Sequence, residues 1–240
     1  MKLNHILVVL VLGLATAAQA TVFDYSWTLN APIPDGDENG WQSTKTIQST
    51  TPGDTSTYMA AKYTEIQDVN VTLNISGGYN GDLYGYLVSS DGFAVLLNRV
   101  GKGEGSDPLT SFGYGNNGMN IKLNDTATET TDIHQYQAVG GYSITGGAEW
   151  RPDGRTTDPS LVTSGTGDRN ALLSNFIGDN PHTSWTLYFA DLGSGQQSTL
   201  VSWGLQITAV PEPVTWALLI FGGMVGGFQV VRRFVVRKTE

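Results

Sequence analysis

Apolar side chains recur at every second position along several stretches of this chain, and no other feature constrains its fold as much. Phe23, Tyr25, Trp27 and Leu29 alternate with Asp24, Ser26, Thr28 and Asn30. Val69, Val71, Leu73 and Ile75 alternate with Asp68, Asn70, Thr72 and Asn74. Trp185, Leu187 and Phe189 form a third row, and Val201, Trp203, Leu205 and Ile207 a fourth. Successive side chains on a strand point to opposite faces, so each row buries one face and wets the other. Turn formers separate the rows: Pro52-Gly53-Asp54, Ser89-Ser90-Asp91-Gly92 and Pro152-Asp153-Gly154. No stretch between residues 21 and 209 keeps a long helical period. Short strands with turns between them predict an all-β fold, an antiparallel β-sandwich.

The chain has 240 residues, enough for one sizeable domain with processing segments at its ends. It contains no cysteine, which excludes a thiol nucleophile, a thiolate metal site and disulfide support, so packing alone must hold an exported domain together. Five of the thirteen basic residues, but only Glu240 of the twenty-two acidic ones, lie outside residues 21–213, which leaves a net charge of −13 on that span. Such a body repels phosphate backbones, so nucleic acid is not an expected partner. Acidity of this kind keeps a secreted domain soluble.

Both ends carry targeting patterns. Lys2 is followed by the apolar run Ile6 to Leu14 and then by Ala18-Gln19-Ala20. This is a basic region, a short apolar region and an A-x-A site, so residues 1–20 read as a signal helix cleaved between Ala20 and Thr21. At the other end, Pro211-Glu212-Pro213 precedes residues 214–231, which carry no charge, and Arg232-Arg233 follow. An apolar stretch of this length spans a bilayer as a transmembrane helix, and the arginines hold its end in the cytoplasm. The order resembles the PEP-CTERM sorting signal of Gram-negative bacteria. The resemblance implies that an exosortase-type enzyme recognises Pro211, Glu212 and Pro213 while Arg232 and Arg233 stop transfer. It further implies transient residence in the inner membrane, passage to the cell surface or beyond, and association with exopolysaccharide or biofilm matrix. A plain C-terminal membrane anchor is the alternative.

Within the body, an ordered series of motifs resembles the P domain (Homo B domain) of proprotein convertases and of bacterial secreted proteins. It runs from Ile33-Pro34-Asp35-Gly36 through residues 66–75, Tyr79-Asn80-Gly81-Asp82-Leu83 and residues 87–97. It continues with Asn124-Asp125-Thr126-Ala127, Trp150-Arg151-Pro152-Asp153-Gly154, Ser184-Trp185-Thr186-Leu187 and residues 202–207. The resemblance implies a jelly-roll β-sandwich over residues 21–209, here without a catalytic domain beside it. The chain departs from the family at Gly78, where a histidine is usual, and in a longer stretch at 128–183.

Catalytic signals are sparse. The only histidines past residue 20 are His134 and His182, and neither sits in a nucleophile motif. Both read as surface loop residues. Gly113-Tyr114-Gly115-Asn116-Asn117-Gly118 fits a dinucleotide fingerprint in spelling, but its neighbours read as a loop. The carboxylates are scattered through turns, where Asp is favoured for backbone reasons. Among ions calcium fits best, because it takes several oxygens, and Asp82, Asp91 and Asp191 are its candidate ligands. Tyr79, Tyr84, Tyr86, Tyr114 and Trp41 are candidates for stacking on sugar rings, with Tyr114 expected to be exposed. The chain therefore reads as a non-catalytic, exported surface or matrix protein that binds or scaffolds extracellular polymer. A secreted hydrolase or a protease-associated module is the alternative of a different class.

Overall fold

A computed structural model of the chain describes residues 19–49, 57–104, 112–128, 131–138, 143–211 and 222–223. Ala18, Glu212, Pro213, Arg232, Arg233 and all of the 214–231 segment except residues 222 and 223 lie outside the described residues. Among the described residues no helix is long and apolar enough to cross a membrane. The chain divides into two units, Ala20–Val210 and a second made of Met1–Gln19 with Pro211–Glu240. The first unit is the β body.

The body is all-β and consists of two sheets. In chain order the described strands are β1 (Thr21–Pro32), β2 (Asp37–Thr46), β3 (Tyr63–Gly77), β4 (Leu83–Val88), β5 (Phe93–Asn98), β6 (Met119–Leu123), β7 (Ala148–Trp150), β8 (Ser184–Asp191) and β9 (Ser198–Pro211). One sheet has the order β1-β9-β3-β6-β7 and the other β2-β8-β4-β5. The pairings β1–β9, β2–β8, β3–β6, β4–β5 and β4–β8 are antiparallel, while β6–β7 is parallel.

The alternation read from the sequence sets which faces meet. Tyr25 and Trp27 are buried while Asp24, Ser26 and Thr28 face water. Val69, Val71, Leu73 and Ile75 are all buried, as are Trp185, Leu187 and Phe189. Side chains from both sheets join one hydrophobic core, with Trp150, Trp185, Trp203, Phe176 and Phe189 its largest fully buried members. Trp203 Nε1 on β9 donates to Ser43 Oγ on β2 at 3.3 Å, tying one sheet to the other where an indole N–H would otherwise be stranded.

The fourth alternating row is broken at one position. Val201 is only partly buried, and Leu200 takes its place inside. The cause is a bulge: β1 and β9 fall out of register between Thr28 and Ala31, where Asn30 adopts φ 50°. An extra residue on one strand shifts the inward parity of its partner, and Asn tolerates the left-handed conformation better than most residues.

Strand direction gives the body two poles. Thr21 pairs with Ala209, so the strands nearest the two chain ends meet at one pole. The start of β9, the end of β8 and the start of β4 lie at the other. The eleven steps of β9 from Ser198 to Ala209 separate them by about 35 Å at strand rise.

Candidate functional site

A cleft of about 670 Å³ opens at the pole of the body away from Thr21 and Ala209. Its wall is built by four segments. Tyr79 and Asp82 belong to the link into β4, Arg99 follows β5, and Leu192, Gly193 and Ser194 follow β8. Phe112, Gly113, Tyr114 and Gly115 complete it. Two exposed aromatics flank the opening, Tyr79 at 38% and Phe112 at 70% exposure. Close backbone approach makes this geometry possible: a Cβ at Gly81 would lie 2.5 Å from the carbonyl carbon of Gly113. Gly81 N accordingly donates to the Tyr114 carbonyl at 2.9 Å.

The charged side chains among the described residues of the cleft are one ion pair. Arg99 Nη2 donates to Asp82 Oδ1 at 3.2 Å and to the Phe112 carbonyl at 3.2 Å, and its Nε donates to the Gly81 carbonyl at 3.0 Å. Arg99 sits at φ 50°, a sparsely populated conformation for a long side chain, and its three acceptors hold it there. Burial raises the pKa of Asp82, Arg99 acts against that shift, and Asp35 adds to it.

The three aspartates expected as calcium ligands do not form one group. Asp82 and Asp191 share the cleft pole, since Leu83 pairs with Asp191 and the Asp82 carbonyl accepts from Leu192 N at 2.9 Å. Asp91 lies in the β4–β5 turn at the opposite end of β4, with its carboxylate bonded to Ser90 Oγ. Asp191 is fully buried; burial, Asp82 and Asp35 push its pKa up to about 6 against the hydrogen bonds from Ser198. Among the described residues no three His, Asp or Glu side chains converge as metal ligands.

The aromatic candidates separate by what their ring faces touch. Tyr86 and Tyr188 stack on each other at 4.6 Å between centroids, Tyr84 meets Tyr188 edge-on and Phe93 leans on Tyr86. Rings on neighbouring strands that stack this way turn one face of each toward the other, and these rings lie away from the cleft lining. Trp41 is partly buried against the core. Tyr114, expected to be exposed, is buried. Its ring lies where a Cβ of Gly101 would fall 2.3 Å away, and it meets Tyr136 at 4.7 Å. The missing side chain at Gly101 is what lets a tyrosine from a glycine-rich loop pack inward. Tyr79 alone of the sequence candidates combines exposure with a place on the cleft, and Phe112 is the partner that sequence reasoning missed. The glycine-rich run 113–118 is a loop that leads into β6, a strand, as the sequence indicates.

His134 also departs from expectation. It was read as a surface residue and has 0% exposure. Its Nδ1 lies 2.7 Å from Asp153 Oδ2 and its Nε2 lies 3.1 Å from the Lys102 carbonyl. Arg155 bridges Asp153 Oδ1 and Asp132 Oδ2 at 3.1 and 3.0 Å, and Arg169 reaches Asp132 at 3.4 Å. Charged partners from three loop segments and a carbonyl from a fourth surround the buried histidine, and they are scattered over residues 102–169, which conceals them in the sequence. His182 is half-buried, with Nε2 3.0 Å from the Met59 carbonyl and Nδ1 3.0 Å from Asn180 Oδ1. Both imidazoles have both ring nitrogens engaged by groups that are not nucleophiles.

No family model matches the chain, and no curated protein matches it. Among solved structures it is similar to the serine protease of Aeromonas sobria in complex with the chaperone ORF2, at 14% identity and a TM-score of 0.41, over 81% of this chain and 28% of that one. The same protease alone gives 14% identity and a TM-score of 0.39, over 80% and 27%. The chain thus spans about a quarter of the length of the proteins it matches, and at these scores the likeness carries no argument about function.

Proposed function

We propose that this chain is an exported, non-catalytic surface protein that binds extracellular polysaccharide through the cleft between Tyr79 and Phe112. Its body is a jelly-roll domain of the P-domain kind, and its C-terminal segment is a PEP-CTERM-type signal handled by an exosortase-type enzyme of a Gram-negative inner membrane. The observation that carries the reading is the polarity of the body. The chain leaves it at the pole where Thr21 meets Ala209, and the cleft lies at the other. Within the body the cleft therefore faces away from the end at which Thr21 and Ala209 lie.

The chemistry of the cleft fits sugars. Aromatic faces stack on the apolar faces of pyranose rings, and a carboxylate–guanidinium pair offers acceptors and donors to hydroxyls. A binding role is favoured over glycan hydrolysis because that reaction uses a pair of carboxyl groups, and among the described residues lining the cleft Asp82 is the one carboxylate, paired with Arg99.

Two measurements test this. Mass spectrometry of the mature protein is expected to find ends at Thr21 and near Pro213; an intact end at Glu240 in the membrane fraction identifies a plain anchor instead. On a glycan array the folded full-length protein is expected to bind. Tyr79→Ala and Phe112→Ala are each expected to weaken binding by about two- to tenfold, the worth of an aromatic contact. A blank array with folded protein removes the polysaccharide.

A further inference from the structure

The His134–Asp153 pair has a stoichiometry that the geometry fixes. A neutral imidazole has one N–H and one lone pair. Here Nε2 faces a backbone carbonyl and Nδ1 faces a carboxylate, and both of those only accept while Asp153 is ionised. The two contacts coexist only while the pair holds one extra proton, on the ring or on Asp153.

What that proton holds in place is the turn at residues 99–104. The Lys102 carbonyl accepts from the ring, Gly101 N donates to the His134 carbonyl at 2.7 Å, and Lys102 N closes the turn onto the Arg99 carbonyl at 2.9 Å. The same turn carries one wall of the cleft. Arg99 lines it, Tyr114 N donates to the Val100 carbonyl at 2.9 Å, and the Tyr114 ring lies directly on Gly101. His134 and the cleft thus grip opposite sides of one short stretch of backbone.

We propose that the proton shared by His134 and Asp153 is a clamp on the cleft: bound, it holds the 99–104 turn and the Arg99–Tyr114 wall; lost as pH rises, it releases them. The clamp itself rests only on the geometry of the turn, while its regulatory meaning rests on the cleft being a binding site. On deprotonation the ring keeps its N–H toward the carboxylate, the stronger acceptor. The Nε2 lone pair then faces the Lys102 carbonyl oxygen, and the turn moves away because the carboxylate cannot. Asp153 stays fixed by Arg155, and Asp132 by Arg155 and Arg169.

The other ionisable groups around the ring have partners of their own. Asp132 accepts from the backbone N–H of His134. Lys102 directs its ammonium to the Ser160 carbonyl, away from the ring; burial and Arg99 lower its pKa, and Asp153→Asn, which leaves Lys102 in place, separates its titration from that of the ring. Glu104 accepts from Gln135. Tyr114 and Tyr136 are pushed by burial up to about 12 and stay neutral. Burial is the largest influence on His134 and lowers its pKa, but the hydrogen bond and charge of Asp153, with the Lys102 carbonyl, outweigh burial and leave the pKa above the ordinary value. The clamp is therefore closed below that raised pKa and opens as pH climbs through it.

The test is amide hydrogen exchange by NMR on the full-length protein in detergent micelles, corrected for intrinsic base catalysis, from mildly acidic to alkaline pH. Protection at Gly101 and Tyr114 is expected to fall about tenfold or more as pH rises, while Ser43 and Leu187 in the β2–β8 pair keep theirs. Asp153→Asn is the decisive variant. An Asn Nδ2–H can donate to Nδ1 of a neutral ring whose Nε2–H still serves Lys102, so the turn is expected to stay protected at every pH. PH-independent protection in the wild type, or an unchanged pH dependence in Asp153→Asn, overturns the clamp. Should Asp153→Asn not fold, His134→Gln answers the same question, since it has no proton to lose in this range. None of these outcomes needs a ligand, so a blank glycan array leaves the clamp standing and a pH-independent turn leaves the binding reading standing.

Discussion

Asp82 with Arg99 at the cleft and Asp153 with Arg155 beneath the 99–104 turn are the same pair of side chains in different surroundings. The cleft pair keeps 12 and 13% of its side-chain surface in water, and Arg99 gives two further donors to backbone carbonyls. The inner pair keeps 0 and 4% and is joined by His134, Asp132 and Arg169. A carboxylate–guanidinium pair at a rim can exchange partners with a ligand's hydroxyls; one closed on all sides can only hold loops together. The difference teaches that function here follows from access, since the residue types are alike.

The comparison breaks most readily at Asp153. Asp153→Ala strands His134 Nδ1 and Arg155 Nη1 inside the body, and the expected loss is about 3–5 kcal/mol in denaturant unfolding. Asp82→Ala leaves Arg99 two carbonyl partners and is expected to cost about 1–3 kcal/mol. If the cleft substitution cost as much as the inner one, the contrast would fail.

Gly101 is where the two regions share backbone, and Gly101→Ala sharpens the link between them. It sits at φ 79° and its added methyl would meet the Tyr114 ring at 2.3 Å, so a loss of about 1–3 kcal/mol is expected from the backbone conformation alone, with further loss from the ring contact. Chemical-shift changes should reach both His134 and Arg99; changes confined to one side would separate the regions.

The smallest effect is expected at Asp191, buried beside the cleft with a pKa raised from 3.8 to about 6. A carboxyl whose folded pKa is raised binds its proton more tightly in the folded state. Its stabilising contribution is present below 3.8 and is lost as pH rises through about 6. Asp191→Asn should therefore melt slightly higher than the wild type at neutral pH and show a flatter melting profile through that window. Parallel profiles would show that the Asp191 carboxyl does not titrate as its burial demands.

Strands were legible in the sequence wherever one face had to be dry. Tyr25 and Trp27, Val69 to Ile75, and Trp185 to Phe189 alternate because a two-residue period is imposed by the backbone itself. The slip at Val201 was not legible, because its cause is a bulge opposite it on another strand. The cleft was half legible. Tyr79 stood out as an aromatic beside a turn, whereas Phe112 and Arg99 carry no local signal. Tyr114 and His134 were read as exposed because loops generally are. Each is buried by a contact with a segment distant in the chain, Gly101 for one and Asp153 with Lys102 for the other.

The chain by itself determined an all-β body without cysteine chemistry, its acidic charge, and the apolar and basic patterns at its two ends. These depend on composition and on periods of two or of a membrane's thickness, which are local quantities. Tertiary structure alone decided which carboxylate meets which cation, which loop aromatics face water, and that the cleft opens at the pole of the body opposite Thr21 and Ala209. Those are distances between residues tens of positions apart, set by strand register and loop closure, and no local pattern encodes them.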